Sequence, residues 1–425
     1  MRWSEPRALV SKDLRELFGS TSYALLLLVA GPLTGLSFIA AVRNYTDASA
    51  TTALASALSP LDGVLLPTFG AYDLLITFLV PFVAIRLLAT EKSSGALRLL
   101  LQTPASLATQ LGAKLLALIA GWIVALIPSA IALVLWRSYG GHLDPSETAN
   151  LLLGLTLRYL LTCSIALAAA AAFANAASAA IAVLSFTIGT WAIDFFGAAN
   201  SGWIATLARY TPAAMLRQFE RGLLNADIVI LTLAISLLLL TLAALILAPS
   251  KKQLVALAIG IALLFVRTHR SADLSEDRRN SFSPADERLL RSIDKPVDIT
   301  LYVAAEDPRA NDYERNVLTK LRRTVRDLRV DYPYGGRTLL FENDPRYGTI
   351  DYRIGAKHVV SRSTTEEIVL DELETLAGLT PPQRGESAYP GYPLRAPPLH
   401  AATLFYVVWP LLVATAWRLC SRRTG

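Results

Sequence analysis

From Tyr159 to Ile193 the chain carries no charged side chain over 35 residues. As a single helix rising about 1.5 Å per residue, that run would far exceed the roughly 30 Å hydrocarbon core of a bilayer. The sequence therefore predicts two spans, Asn150–Ala172 and Ala177–Phe196, with a turn near Asn175. The Ala-rich stretch Ala166–Ala182 would let the two helices pack closely.

Composition points the same way. The 425 residues are 53% hydrophobic and 17% charged, where soluble domains carry about a quarter charged residues. Further spans are expected at Ser22–Val42, roughly Tyr72–Ala89, Leu115–Trp136, Ile228–Ala248, the short Leu254–Val266 and Ala401–Trp417, eight in all. Asp73 and Arg86 would lie near opposite ends of the second, where the Arg86 stem can snorkel. Pro32, Pro81, Pro128 and Pro410 fall inside spans, which tolerate kinks. A small-residue site near Phe38–Ala41 could suggest a cleaved signal peptide, but the long polar lead and the many later spans argue against it.

Charge sets the expected orientation. Residues 270–395 hold 20 Lys/Arg against 22 Asp/Glu, leaving 20 against 12 elsewhere. The basic excess thus belongs to the membrane part and is no sign of nucleic-acid binding. It predicts a cytoplasmic N-terminus, Lys92/Arg98/Lys114 loop, Lys251/Lys252 turn and Arg418/Arg422/Arg423 tail. Eight spans put both termini inside and the polar segment Thr268–His400 outside; Arg267 and Arg270 run mildly against this trend.

The polar segment reads as a small α/β domain. Val297, Ile299, Leu301 and Val303 alternate with polar residues over Pro296–Val303, a half-buried strand. Val317, Leu318, Leu321, Val325 and Leu328 stripe a helix over Asn311–Val330. Its basic residues Arg315, Lys320, Arg322, Arg323, Arg326 and Arg329 read as a solvated face, with contact to anionic headgroups as the alternative. Thr349–Ile354 and His358–Arg362 suggest a hairpin around Gly355. Ser363 or Thr364 would then cap a helix, with Glu366 or Glu367 completing a capping box. That helix should end at Gly378, before a Pro-rich tether over Thr380–Leu399.

Little in the chain suggests catalysis. There is no Gly-x-x-x-x-Gly-Lys-Ser/Thr phosphate loop, and His142, His269, His358 and His400 lack ligand spacing. Ser361 has no Gly-x-Ser-x-Gly setting. Cys163 and Cys420 fall in a span and in the tail, so they build no disulfide framework. We expect neither enzyme activity nor a bound cofactor or metal in this chain.

Two segments stand out instead. Over Glu5–Phe18, Leu14, Leu17 and Phe18 join Val10 on one face and Lys12 lies elsewhere, as in a helix lying in the membrane interface. Glu91-Lys92-Ser93-Ser94-Gly95-Ala96-Leu97-Arg98-Leu99-Leu100-Leu101-Gln102-Thr103-Pro104 is too polar at its start to cross a bilayer and too apolar to float free. It reads either as an ordinary amphipathic loop helix or as a coupling helix gripped by another protein. Arg158 and Asp194, in or near the rims of the fourth and fifth spans, are either interfacial or pathway-lining; we favour the interfacial reading.

These residues resemble a family. Lys12-Asp13-Leu14-Arg15-Glu16-Leu17-Phe18 before a span looks like the start of ABC-2 type transporter permeases. Glu91, Gly95, Leu100, Leu101 and Pro104 are similar to their Glu-x-x-x-Gly-Thr-x-x-x-Leu-Leu-x-x-Pro segment, with Ala96 in place of Thr. Arg209-Tyr210-Thr211-Pro212 through Phe219-Glu220-Arg221-Gly222 resembles the gliding-motility branch. Beyond the permease, Asp273–Ser283, Asp294–Thr300 and Ser361–Thr364 resemble segments of a gliding-motility auxiliary protein. The resemblance implies a polytopic α-helical membrane protein of about eight spans with a small extracytoplasmic α/β domain. Its parts would be a six-span permease over 1–248, a seventh span over 249–268, the auxiliary domain and tether over 269–399, and the eighth span and tail over 400–425. It also implies a bacterial inner-membrane transport subunit, working as a dimer of transmembrane units in the bilayer. A separate ABC ATPase would bind the ATP and grip Glu91, Lys92, Gly95, Leu97, Leu99, Leu100 and Pro104. A transmitter or scaffold that engages an envelope partner and moves no solute is the alternative.

Overall fold

The computed structural model describes residues 4–51, 58–103, 105–199, 203–248, 250–266, 268, 270–304, 307–334, 345–384 and 389–422. Pro104, Arg267, His269 and Arg423 lie outside the described residues. In chain order the helices of the first part are α1 (Ser4–Gly19), α2 (Thr21–Ala48), α3 (Leu61–Ser93), α4 (Ala96–Leu101) and α5 (Leu107–Ser138). There follow α6 (Pro145–Ala172), α7 (Ala176–Ala199), α8 (Pro212–Glu220), α9 (Ala226–Leu247) and α10 (Lys251–Leu264).

Seven helices among the described residues are long and apolar enough to cross a membrane: α2, α3, α5, α6, α7, α9 and Ala401–Ser421. The chain is a polytopic helical membrane protein. The turn between the fourth and fifth spans falls at 173–175, as expected, with Asn175 Oδ1 accepting the Ser178 amide. The seventh expected span, Leu254–Val266, is corrected as a helix. α10 has 14 residues, about 21 Å of helix, short of the roughly 30 Å needed. It nevertheless packs against α9, and the residues after it run on to α9's start. There Asp227 accepts the Thr268 amide at 2.7 Å and Arg270 O accepts the Ala226 amide at 3.0 Å. The chain thus returns from the C-terminal end of α9 to its N-terminal end by a short helix plus an extended stretch, covering the length of α9 without a full-length spanning helix.

The chain divides into two compact units, 1–188 with 225–271 and 389–425, and 189–224 with 272–388. The polar domain therefore takes in 189–224, and the end of the tether belongs with the helices.

In the first unit, Gly31 and Gly35 of α2 admit the C-terminal helix. A Cβ on Gly31 would stand 2.0 Å from Trp409 Cδ1, and one on Gly35 2.4 Å from Phe405 Cβ. Trp409 Nε1 donates to Leu27 O at 2.7 Å across this contact. The Ala-rich stretch serves α6 differently from expectation: α6 packs most extensively on α9 and α3. Pro81 and Pro128 each stand just after a break, at Leu79 in α3 and Leu126 in α5. At the second break Tyr72 Oη enters the α5 ladder, donating to Ala125 O (3.0 Å) and accepting from Ser129 N (3.2 Å). That is a side-chain insertion of the kind that bends helices. The tether's last part is docked: Tyr45 Oη donates to Tyr392 O (2.6 Å), Ser49 Oγ accepts Leu394 N (2.9 Å), and Tyr392 stacks on His142 at 3.7 Å.

The second unit holds α11 (Pro284–Arg291), strand β1 (Val297–Leu301), a helical run α12 over 308–324, strands β2 (Leu328–Asp331), β3 (Ile350–Ile354) and β4 (Lys357–Ser361), and helix α13 (Glu366–Ala377). The sheet order is β2-β1-β3-β4, with β1–β2 parallel across α12 and the other pairs antiparallel. Val297, Ile299, Leu301, Tyr352 and Ile354 face a core shared with Val317, Leu318, Leu321, Val369 and Leu373. The helix expected over Asn311–Val330 stops at Thr324, because Leu328 and Val330 alternate with charged residues and pair with β1. Arg326 and Arg329 are therefore off the helix. Lys320 is buried on Glu366 (2.6 Å), and Arg322 binds Glu314, so the basic face is partly consumed internally. The hairpin turns at Gly355 (φ +63) and α13 ends at Gly378 (φ +82), as expected. The capping box is absent: Thr365 is the N-cap and makes no side-chain cap bond.

Candidate functional site

The Glu91–Thr103 segment grows out of α3. Gly95 takes a left-handed conformation (φ +80) that side chains disfavour, so α3 ends and the six-residue α4 starts in a new direction. Leu97 is buried and anchors α4, while Arg98, Leu99 (68% exposed), Leu101, Gln102 and Thr103 face outward and Leu100 is half-buried.

Glu91 and Lys92 face the other way. Glu91, 4% exposed, accepts Lys114 Nζ at 2.8 Å and also binds Lys12. Lys114 reaches Asp13 Oδ1 at 3.2 Å and Leu87 O at 3.0 Å. Lys92 Nζ donates to Ala171 O (2.9 Å), Phe173 O (2.8 Å) and Ala170 O (3.4 Å), the open carbonyls at the C-terminus of α6. A cation there also meets the negative end of the helix dipole. Neither side chain is presented to a partner, which corrects the expectation that they form the gripped surface. They root the loop instead, Glu91 on α1 and α5, Lys92 on α6.

α1 is correspondingly less superficial than expected. Asp13 and Leu17 are buried as the helix packs on α5, with Leu17 Cδ2 filling the space at Gly121. Phe18 meets Tyr23 edge-on at 5.4 Å, Leu14 is half-buried, and Lys12 is turned toward Glu91. Burial works against the charge of Lys12, but its bond to Glu91 and the nearby carboxylates outweigh this and raise its pKa. Burial raises that of Glu16, with the two lysines opposing. Asp13, Glu16 and Glu91 offer oxygens within 4.8 Å of one another, as metal ligands would. The Lys114 and Lys12 ammonium groups already bond Glu91 and Asp13, so side chains take up most of the cluster's negative charge.

Sequence reasoning missed Asp13 and Lys114. The signal was that Asp13 lies three residues after Val10 and four before Leu17, on the apolar stripe itself.

Arg158 is not at a rim. It is 6% exposed, bonding Asp73 Oδ1 at 2.6 Å and Thr77 Oγ1 at 3.3 Å on α3. The interfacial reading fails because α3 extends to Leu61, which moves Asp73 from a span end into its interior. Asp194 lies near the end of α7 and is held by both Arg217 Nη groups at 2.7 and 2.5 Å, a bidentate pair. Arg158 and Asp194 belong to different units.

Comparison with protein-family models, with curated proteins and with solved structures finds no match for this chain.

Proposed function

We propose that this chain is the membrane-spanning subunit of an ABC-2 type transporter in a bacterial inner membrane. ATP hydrolysis by a separate ATPase would drive transport, with export as the direction. The observation that carries the reading is α4: a short helix with an exposed apolar side at Leu99 and Leu101, whose base is tied to three helices through Glu91 and Lys92. A push on such a lever passes to α3, α5 and α6 together, because packed helices move as bodies. The gripped surface is then Arg98, Leu99, Leu101 and Gln102. In this reading the α4 end and both termini are cytoplasmic, the polar domain is extracytoplasmic, and two transmembrane units act as a dimer.

Affinity purification from membranes tests it. The native chain should retain an ATPase that a Leu99→Asp/Leu101→Asp chain loses, with the variant's helicity and thermal midpoint unchanged. Full ATPase recovery on the variant, or none on the native chain, would refute the coupling role.

A second reading, an envelope scaffold or mechanical transmitter, is favoured by the docked tether at Tyr392 and Leu394. Deleting 273–384 separates the two. Solute flux that survives in vesicles while an envelope defect appears would favour the transmitter.

A further inference from the structure

Asp73 sits about halfway along the bundle. Earlier on α3, Gly63 packs on Tyr45 near the end of α2; later, Arg86 Nη1 reaches Thr21 Oγ1 at its start. Beside Asp73, Tyr72 is inserted in the middle of α5 at Ala125 and Ser129. Arg158 behind it is enclosed, yet 31% of the Asp73 side chain is exposed on the surface of α3. One turn earlier, Gly70 is exposed too, and a Cβ there would meet nothing within 4 Å. An ionised carboxylate has about four acceptor sites. Arg158 can occupy those on the inner side, whereas hydrocarbon offers no donor to the outer ones.

We propose that the α3 face at Gly70 and Asp73 borders a water-filled recess at mid-depth in the membrane. There the Arg158-anchored carboxylate accepts hydrogen bonds from water and from donor-bearing polar groups of a passing solute. Lipid on this face would leave the outer oxygen unsolvated. The neighbours Leu74 and Phe78, also exposed, give the recess an apolar flank. This inference rests on reading α3 as a membrane span and is independent of any ATPase coupling.

Thiol reactivity in the full-length chain, in membrane vesicles with Cys420→Ser, tests the proposal. Gly70→Cys is the reporter, since it has room and leaves the ion pair intact. Ile123→Cys is the lipid-facing control, 65% exposed and two residues from Ala125 on α5. The probe is a trimethylammonium methanethiosulfonate, which attacks thiolate, a species that needs water. Gly70→Cys should react at least about tenfold faster than Ile123→Cys, because only a hydrated thiol ionises readily. Asp73→Asn in the same background should slow it toward the control. Labelling of Gly70→Cys by a lipid-soluble maleimide alone would overturn the proposal in favour of lipid. A disulfide between two copies at Gly70→Cys, with no labelling, would overturn it in favour of a covered interface. Equally rapid reaction at Ile123→Cys would overturn the proposal, since the Gly70 face would then be no wetter than the lipid-facing side of α5.

Discussion

Lys114 Nζ lies 2.8 Å from Glu91 Oε1, with both side chains 4% exposed or less. This pair joins the end of α3 to α5 at the root of the loop helix, and Asp13 and Lys12 extend it to α1. A buried pair of this kind is a positioning device more than a source of net stability.

Removing one partner should therefore be worse than replacing both. Lys114→Met removes the buried cation shared by Glu91 and Asp13, leaving them only the half-exposed Lys12, and should cost about 3–5 kcal/mol. Glu91→Leu combined with Asp13→Leu and Lys114→Met should recover most of that. Detergent-solubilised thermal melts of the two variants measure the difference. Equal loss in both would mean the charges themselves stabilise the bundle.

Lys92→Ala removes the cation from the C-terminus of α6, where it bonds three carbonyls. Each helix-end cation contributes about 0.3–1 kcal/mol, so overall stability should fall only slightly. Hydrogen exchange should nonetheless quicken locally at 168–173. Unchanged exchange there would show that Lys92 is not the tie.

Gly31→Leu and Gly35→Leu each place a side chain where Trp409 and Phe405 lie. Such overpacking typically costs about 1–3 kcal/mol. The C-terminal helix should separate from α2. A disulfide between Leu27→Cys and Trp409→Cys, at the site of the Trp409–Leu27 bond, should form in the native background and fail with Gly35→Leu.

The polar domain should carry a pH-dependent joint. Glu374 is fully buried beside Asp286, and Arg384 reaches both, at 3.2 and 2.9 Å, and also binds Asp371. Burial first, then the Asp286 charge, pushes Glu374 up to about 7, against the opposing pull of Arg384. The folded state thus holds a proton that the unfolded chain, with an ordinary glutamate, releases near 4.5. Its stabilising contribution is present below about 4.5 and is lost as pH rises through about 7. Protection of α13 amides against hydrogen exchange, corrected for intrinsic rates, should fall between pH 5 and 7.5. Glu374→Gln should flatten that change; a profile identical to the native one would exclude Glu374 as its source.

How much could be read from the residues varied with the scale of the interaction. The turn at Asn175, the strand at Val297–Leu301, the Gly355 hairpin and the stop at Gly378 were legible because each depends on local periodicity or on one backbone conformation. Helix lengths were less so. α3 runs to Leu61 although hydropathy placed its start near Tyr72, since Asp62, Gly63, Pro67 and Gly70 interrupt the apolar pattern without ending the helix.

The sequence by itself determined that this chain is a bundle of membrane-crossing helices carrying a small α/β domain. The free energy of removing so many apolar side chains from water leaves no other outcome. It also placed a short, distinct helix within Glu91–Pro104, which the structure narrows to Ala96–Leu101. Only the tertiary structure decided which way its charges point. Glu91 meets Lys114, Lys92 meets α6, and Arg158 meets Asp73 because helices distant in sequence pack side by side. A charge near hydrocarbon must find a partner, and the sequence names the charge without saying which neighbour will supply it.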